Sequence, residues 1–233
     1  MILGNSCTRR CGFCAIETGR GETVESDEPE RMARAAEALG LEYVVVTSVA
    51  RDDLPDEGAE HFHQCVRALQ SRIPAVEVEV LTPDFHARSE RIGRVCEAEP
   101  TVYNHNLETV ERLQRTVRPQ AGYGRSLAVL EFVKRTYPEI LTKSGLMLGL
   151  GEREEEVLKA ARDLAEIGCE ILTLGQYLPP SVNHLEVSEF IHPEVFQRLA
   201  DTMRGMGFRE VYAGPYVRSS YHAAETFHSA GVR

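Results

Sequence analysis

Short apolar runs rich in β-branched residues alternate with segments of helical period along almost the whole chain, which restricts it to βα units around a parallel sheet. The runs that read as strands are Ile2–Asn5, Tyr43–Thr47, Val76–Leu81, Thr101–Asn104, Gly145–Leu150 and Glu170–Leu174. Between them the spacing predicts helices at Glu28–Leu39, Gly58–Arg72, Ser89–Glu97, Leu107–Thr116 with Leu127–Thr136, and Glu154–Ile167. A last helix over His192–Met206 leads to a short strand near Glu210–Ala213 and a polar tail. Six parallel strands are too few to close an eight-stranded barrel, so the expected fold is α/β, an open, partial (βα)6 TIM-like barrel. In such a barrel the C-terminal ends of the strands face the site. Here they are unusually polar: Asn5-Ser6-Cys7, Thr47-Ser48, Asn104-His105-Asn106 and Gln176-Tyr177. With 233 residues, 42% of them apolar, and no repeat or linker, a single domain is the simplest organisation, the barrel over 1–208 and an extension over 209–233.

Charge narrows the function. Lys and Arg total 26 against 36 Asp and Glu, a formal charge of −10, so there is no general footprint for nucleic acid or an anionic membrane. No stretch reaches the roughly 18 to 20 apolar residues of a membrane span, and no charged segment followed by an apolar one opens the chain. A soluble, unexported, cytoplasmic protein is expected. Three of the six cysteines fall between positions 7 and 14, whereas Cys65, Cys96 and Cys169 are scattered on or beside helices and read as buried thiols. That pattern suits a metal site in a reducing compartment better than a disulfide framework.

The segment Cys7-Thr8-Arg9-Arg10-Cys11-Gly12-Phe13-Cys14 spaces its thiols as C-x3-C-x2-C. Iron–sulfur cubanes are usually held by four thiolates, so three close together imply one iron with an open position that a substrate can occupy. A zinc site would need a second pair or a histidine at matching distance, and neither is evident nearby. A redox pair of Cys11 and Cys14 would leave Cys7 unexplained. At these residues the chain resembles the radical S-adenosylmethionine (radical SAM) superfamily, whose loop is C-x3-C-x-aromatic-C after the first strand of a partial (βα)6 barrel. The resemblance implies a [4Fe–4S] cluster on Cys7, Cys11 and Cys14. Its open iron would chelate S-adenosylmethionine and cleave it to a 5′-deoxyadenosyl radical, with Phe13 near the adenine.

Further segments resemble the lipoyl synthases within that superfamily. They include Thr47-Ser48-Val49 with Arg51-Asp52-Asp53-Leu54-Pro55-Asp56, Leu81-Thr82-Pro83-Asp84-Phe85, and Tyr103-Asn104-His105-Asn106-Leu107-Glu108-Thr109. Val117-Arg118-Pro119, Thr142 to Glu152, Leu174-Gly175-Gln176-Tyr177-Leu178 and the closing Arg218-Ser219-Ser220-Tyr221 complete the set. The resemblance implies a sulfurtransferase that inserts two sulfur atoms at C6 and C8 of an octanoyl group carried on a lipoyl carrier domain or H protein. A ferredoxin or flavodoxin would supply electrons. Ser220 would be the oxygen ligand of a second, auxiliary [4Fe–4S] cluster, the sulfur donor. That cluster's other ligands form a C-x4-C-x5-C motif upstream of the radical loop, and this sequence has no such motif, so a truncated or misplaced start is expected first and a degenerate paralogue second. The rival functions are another radical SAM sulfur-insertion enzyme and a non-catalytic iron–sulfur paralogue.

Several polar residues have two readings. Thr47 and Ser48 either bind the amino group of S-adenosylmethionine or cap the following turn. Strand alternation sends Asn104 and Asn106 to one side, toward cofactor and substrate in the resemblance, with His105 as a satisfied second-layer residue. Lys143, at an expected strand start, either steers a carboxylate or is solvated. Arg51, Asp52 and Asp53 either brace the radical loop, contact the carrier or form a solvated turn. Arg112, Arg115 and Arg118, three apart, would present a basic face to an acidic carrier if the helix continues that far. His61 and His63 point apart on a helix and bind no metal. Gly145–Gly151 lacks the Gly-Lys-Ser/Thr of a phosphate loop.

Overall fold

The computed structural model describes residues 1–220. Strands β1 (Ser6–Cys7) and β2 (Glu17–Thr18) form a small parallel pair. Strands β3 (Tyr43–Thr47), β4 (Glu77–Leu81), β5 (Val102–Asn104), β6 (Leu141–Leu148), β7 (Ile171–Gln176) and β8 (Glu210–Gly214) form one six-stranded sheet, parallel throughout and in sequence order. Helices α1 (Glu28–Ala38), α2 (Ala59–Arg72), α3 (Ser89–Cys96), α4 (Gln114–Val117), α5 (Tyr123–Thr136), α6 (Glu154–Glu166) and α7 (Pro193–Arg204) lie in the crossovers. Sequential order with a helix in most connections is the partial βα barrel expected.

The number six is right but its membership differs. Ile2 makes only an isolated bridge with Ser48, its N–H donating to Thr47 O at 2.8 Å. Leu3 at φ 69° and Gly4 at φ 92° turn the chain out of the extended region, so no strand forms over Ile2–Asn5. The sixth strand is β8, and the sheet therefore runs past residue 208. The helix expected over Leu107–Thr116 is also absent. Glu108 adopts φ 63° and bridges to Leu146, and Gln114 Nε2 caps the carbonyls of Leu107 and Thr109 at 2.9 and 2.8 Å. Only a 3-10 turn at Glu111–Leu113 and the single turn of α4 remain helical. β6 begins four residues before the predicted Gly145, because Leu141 through Ser144 pair with β5 and β7.

Alternation along the strands builds two layers. Val78, Val80, Leu146, Leu148, Leu172 and Leu174 face outward and join the main core with buried residues of the helices, such as Phe62, Leu130, Leu164 and Phe196. On the inner face Val102, Leu141, Ile171 and Tyr43 form a separate apolar plug at the N-terminal end of the barrel. Above it sits a buried polar layer. Lys143 Nζ reaches both oxygens of Glu79 at 2.9 Å, and Glu79 also accepts from Asn104 Nδ2 at 2.9 Å and Tyr43 OH at 2.8 Å. Lys143 is 1% and Glu79 0% exposed. Neither reading of Lys143 survives. Its ammonium is saturated by an internal carboxylate, so it is neither solvated nor free to steer a cofactor.

Candidate active site at the mouth of the barrel

The cysteine loop is braced from the ends of three strands. Thr8 N donates to Ala50 O at 3.0 Å, and the Cys7 sulfur accepts from Ala50 N at 3.3 Å. Arg9, 6% exposed, forks onto both oxygens of Asp52 at 2.9 and 2.7 Å and reaches Asp84 at 2.7 Å. Arg125 takes the second oxygen of Asp84 at 3.2 Å. Burial pushes the Asp84 carboxyl up, but the hydrogen bond and charge of Arg9 overcome this and hold it well below the usual carboxylate range. Asp52 thus braces the loop, whereas Arg51 ties Asp53 to Leu3 O at 3.2 Å. On the far side Gly12 N donates to Val117 O at 2.9 Å, Leu185 N to Gly12 O at 3.2 Å, and His184 Nε2 lies 3.1 Å from Cys14 O.

Cys7, Cys11 and Cys14 are all partly buried and unbonded to one another. A single tetrahedral zinc with Zn–S of about 2.3 Å would draw its sulfurs to about 3.8 Å apart. Among the described residues the only three His, Cys, Asp or Glu ligand atoms mutually within 4.8 Å belong to Asp52, Glu57 and His86, so the thiols stand wider than one zinc requires. Wider spacing suits a multi-iron cubane. Burial pushes the Cys11 thiol up to about 11, with the charge of Arg118 pulling the other way, and burial raises Cys14 too. Without a bound cation Cys11 and Cys14 stay protonated at neutral pH, as expected of metal ligands that ionise on binding.

A cavity opens beside the loop at the C-terminal ends of β4 to β8. Its lining includes Phe13 of the loop, Asn106, Glu108, Gly145 and Gln176 from the strand ends, and Arg218 and Ser219 beyond β8. Two of the residues expected to bind the cofactor, Phe13 and Asn106, line it. Asn104 does not: it lies in the polar layer below, donating to Glu79. Thr47 and Ser48 end β3 at the loop's edge, outside the cavity lining, with the Ser48 hydroxyl buried and unpartnered. Ser220 is exposed, in a turn next to the cavity wall; Tyr221 of its motif lies outside the described residues. Gln176, one of the polar strand ends expected to face the site, lines the cavity as well, whereas sequence reasoning missed Glu108 as a lining residue. Glu108 was visible only as part of a motif, since its left-handed backbone is what turns it to the cavity.

Two other expectations fail or hold on geometry. Arg112, Arg115 and Arg118 do not share a face. Pro119 forces the residue before it out of the α region, so Arg118 leaves α4 at φ −136°, ψ 70° and is buried, while Arg112 pairs with Glu156 at 2.7 Å. His105 is a satisfied inner residue, its ring nitrogens 2.9 Å from Thr82 O and Ser126 Oγ. Burial, reinforced by Arg118, lowers its pKa to about 4. A base with a folded pKa below its unfolded value of about 6.5 stabilises fully above that value and loses the contribution as pH falls toward 4. Unfolding free energy should therefore fall by up to about 1.4 kcal/mol per pH unit from pH 6.5 to 4 through this group. Urea melts across that window should show a shallower slope for His105→Gln; an unchanged slope would remove His105 as the cause.

The family description that matches the chain is the radical SAM superfamily, over residues 1–164. A lipoyl synthase of Caldanaerobacter subterraneus subsp. tengcongensis is 54% identical over 223 residues, covering 96% of this chain and 78% of the relative. A lipoyl synthase of Rhodopirellula baltica is 55% identical over 227 residues, covering 97% and 72%. The chain belongs to the lipoyl synthases of the radical SAM superfamily. Among solved structures, methylornithine synthase superposes with a TM-score of 0.67 at 14% identity, covering 94% of this chain and 72% of that one, a likeness of fold.

The residues of this lipoyl synthase fit the superfamily's cofactors. Three thiols stand in a braced loop, and the buried Asn106 Oδ1 and Ser48 Oγ lack partners, as acceptors awaiting donors do. Gly145 leaves room against the cavity: a Cβ there would sit 2.7 Å from Thr173 Oγ1 and 3.0 Å from Asn106 Oδ1. Gly145→Ala should weaken S-adenosylmethionine binding at least tenfold, about 1.4 kcal/mol, while the iron content stays unchanged. Equilibrium binding to reconstituted protein measures it; unaltered affinity would place the cofactor away from β6.

Proposed function

We propose that this lipoyl synthase inserts sulfur at C6 and C8 of an octanoyl group amide-linked to a lysine of a lipoyl carrier domain or H protein. The supporting observation is that one cavity is bounded both by Phe13 of the cysteine loop and by Arg218 and Ser219, beside Ser220. Bound cluster and S-adenosylmethionine supply hydrogen abstraction through a 5′-deoxyadenosyl radical. Cys7, Cys11 and Cys14 ligate the cluster; Phe13, Asn106 and the bare Gly145 position the cofactor. Apolar Leu178, Pro215 and Tyr216 at the lining help keep water from a carbon radical. Ser220 is the proposed oxygen ligand of an auxiliary cluster that donates sulfur. A ferredoxin or flavodoxin is the proposed reductant. Among the described residues no helix is long and apolar enough to cross a membrane.

The test is anaerobic reconstitution with iron and sulfide, followed by reductant, S-adenosylmethionine and an octanoylated carrier domain. Formation of 5′-deoxyadenosine with two sulfurs added to the carrier by mass supports the full reading. Deoxyadenosine without sulfur gain restricts this chain to radical initiation. Iron uptake without deoxyadenosine would make it a non-catalytic paralogue and overturn the proposal.

A further inference from the structure

Arg118 is 7% exposed, and among the described residues no carboxylate lies within ion-pair distance of it. Arg9 and Arg51 are as deeply buried, yet each has a carboxylate at 2.7 or 2.8 Å. The Arg118 guanidinium instead donates from Nη1 to the carbonyls of Asn106 and Leu107, both at 2.9 Å, and to Ser126 Oγ at 3.4 Å. Those contacts fix its position without neutralising it. A buried unpaired cation is costly, so a counter-charge close by has to offset it.

The neighbouring acids are poor candidates. Asp84 already holds Arg9 and Arg125. Burial raises the Glu108 carboxyl, which favours its neutral form. What remains is the cysteine loop. Gly12, next to Cys11, hydrogen-bonds Val117, next to Arg118, at 2.9 Å.

We infer that Arg118 is an electrostatic positioning residue for the iron–sulfur centre, a fixed positive charge that favours its reduced, more negative state. This rests on the reading that Cys7, Cys11 and Cys14 carry that centre. Net charge and nearby dipoles set cluster potentials, and a charge held rigidly in a desolvated site acts more strongly than a solvated one. A donor of modest reducing power then loads the electron more completely. The sequence alone gives this residue no such role; Pro119 creates it by expelling Arg118 from α4 into the interior.

The experiment is an anaerobic redox titration of the reconstituted chain, followed by electron paramagnetic resonance without S-adenosylmethionine, so that cofactor binding contributes nothing. Iron per chain is measured first, since failure of the wild-type chain to assemble a cluster would refute the underlying reading rather than this inference. In Arg118→Gln and Arg118→Met the reduced fraction at a fixed poise should fall about tenfold, which for one electron is about 59 mV. Arg118→Lys should retain most of the wild-type value. Ser126→Ala, which breaks one bond to the guanidinium but leaves its charge, should not move it. Wild-type potentials in the neutral variants, or an equal shift in Arg118→Lys, would overturn the inference. If neither neutral variant holds a cluster while Arg118→Lys does, charge is again the requirement; loss from all three assigns Arg118 to folding and overturns it.

Discussion

Cys11→Ala should produce a folded chain that assembles no [4Fe–4S] cluster and forms no detectable 5′-deoxyadenosine. Two remaining thiolates cannot hold a cubane that normally needs three protein ligands and a bound cofactor. The fold should tolerate the change within about 1 kcal/mol, because the loop is braced by Thr8, Arg9 and the Cys7 sulfur rather than by Cys11. Iron analysis, the cofactor-cleavage assay and a urea melt of the metal-free chain check the three parts separately. Cys7→Ala should differ, losing the cluster and also stability, since its sulfur accepts from Ala50 N and from Arg9 N at 3.4 Å. A Cys11→Ala chain with a full iron complement would remove this loop from the chemistry.

Lys143→Met should be the most destabilising single change in the barrel, by about 3 to 5 kcal/mol, because it strands the Glu79 carboxylate in a dry interior. Exposure decides the size of this effect. Both partners are about 1% exposed, unlike the surface pair Arg198–Glu154, where loss should cost under about 1 kcal/mol. The double variant Lys143→Met with Glu79→Gln should recover over half the loss. The amide is neutral, yet its carbonyl still accepts from Asn104 or Tyr43. Urea denaturation of the metal-free protein is the measurement, and a loss under about 1 kcal/mol for the single variant would show that water reaches the pair.

The parts legible in the sequence were those with local physical causes. Valine-rich Tyr43–Thr47 forms β3 as read, and the predicted bounds of α1, α2, α3, α6 and α7 differ from the observed ones by one or two residues. Ile2–Asn5 misled because apolar composition says nothing of a left-handed backbone at Leu3 and Gly4. Leu107–Thr116 misled because a helical spacing was overridden by the Glu108 bridge to β6 and the side-chain caps of Gln114. Alternation puts Asn104 and Asn106 on one side and makes one of them functional, without saying which. The barrel separates them by depth, one in the ionic layer and one at the cavity.

The sequence by itself determined the βα alternation, the parallel sheet, the thiol loop at the C-terminal end of the barrel and the family, because each is written in spacing between near neighbours. Only the tertiary structure decided that Lys143 is spent on Glu79, that Arg118 is buried beside the loop with no carboxylate paired to it among the described residues, and that Phe13 and Arg218 share one cavity. These depend on which residues meet across 64 positions for Glu79 and Lys143, or two hundred for the cavity walls, and on how deep each meeting lies. Burial and pairing are properties of that packing, so no local pattern could carry them.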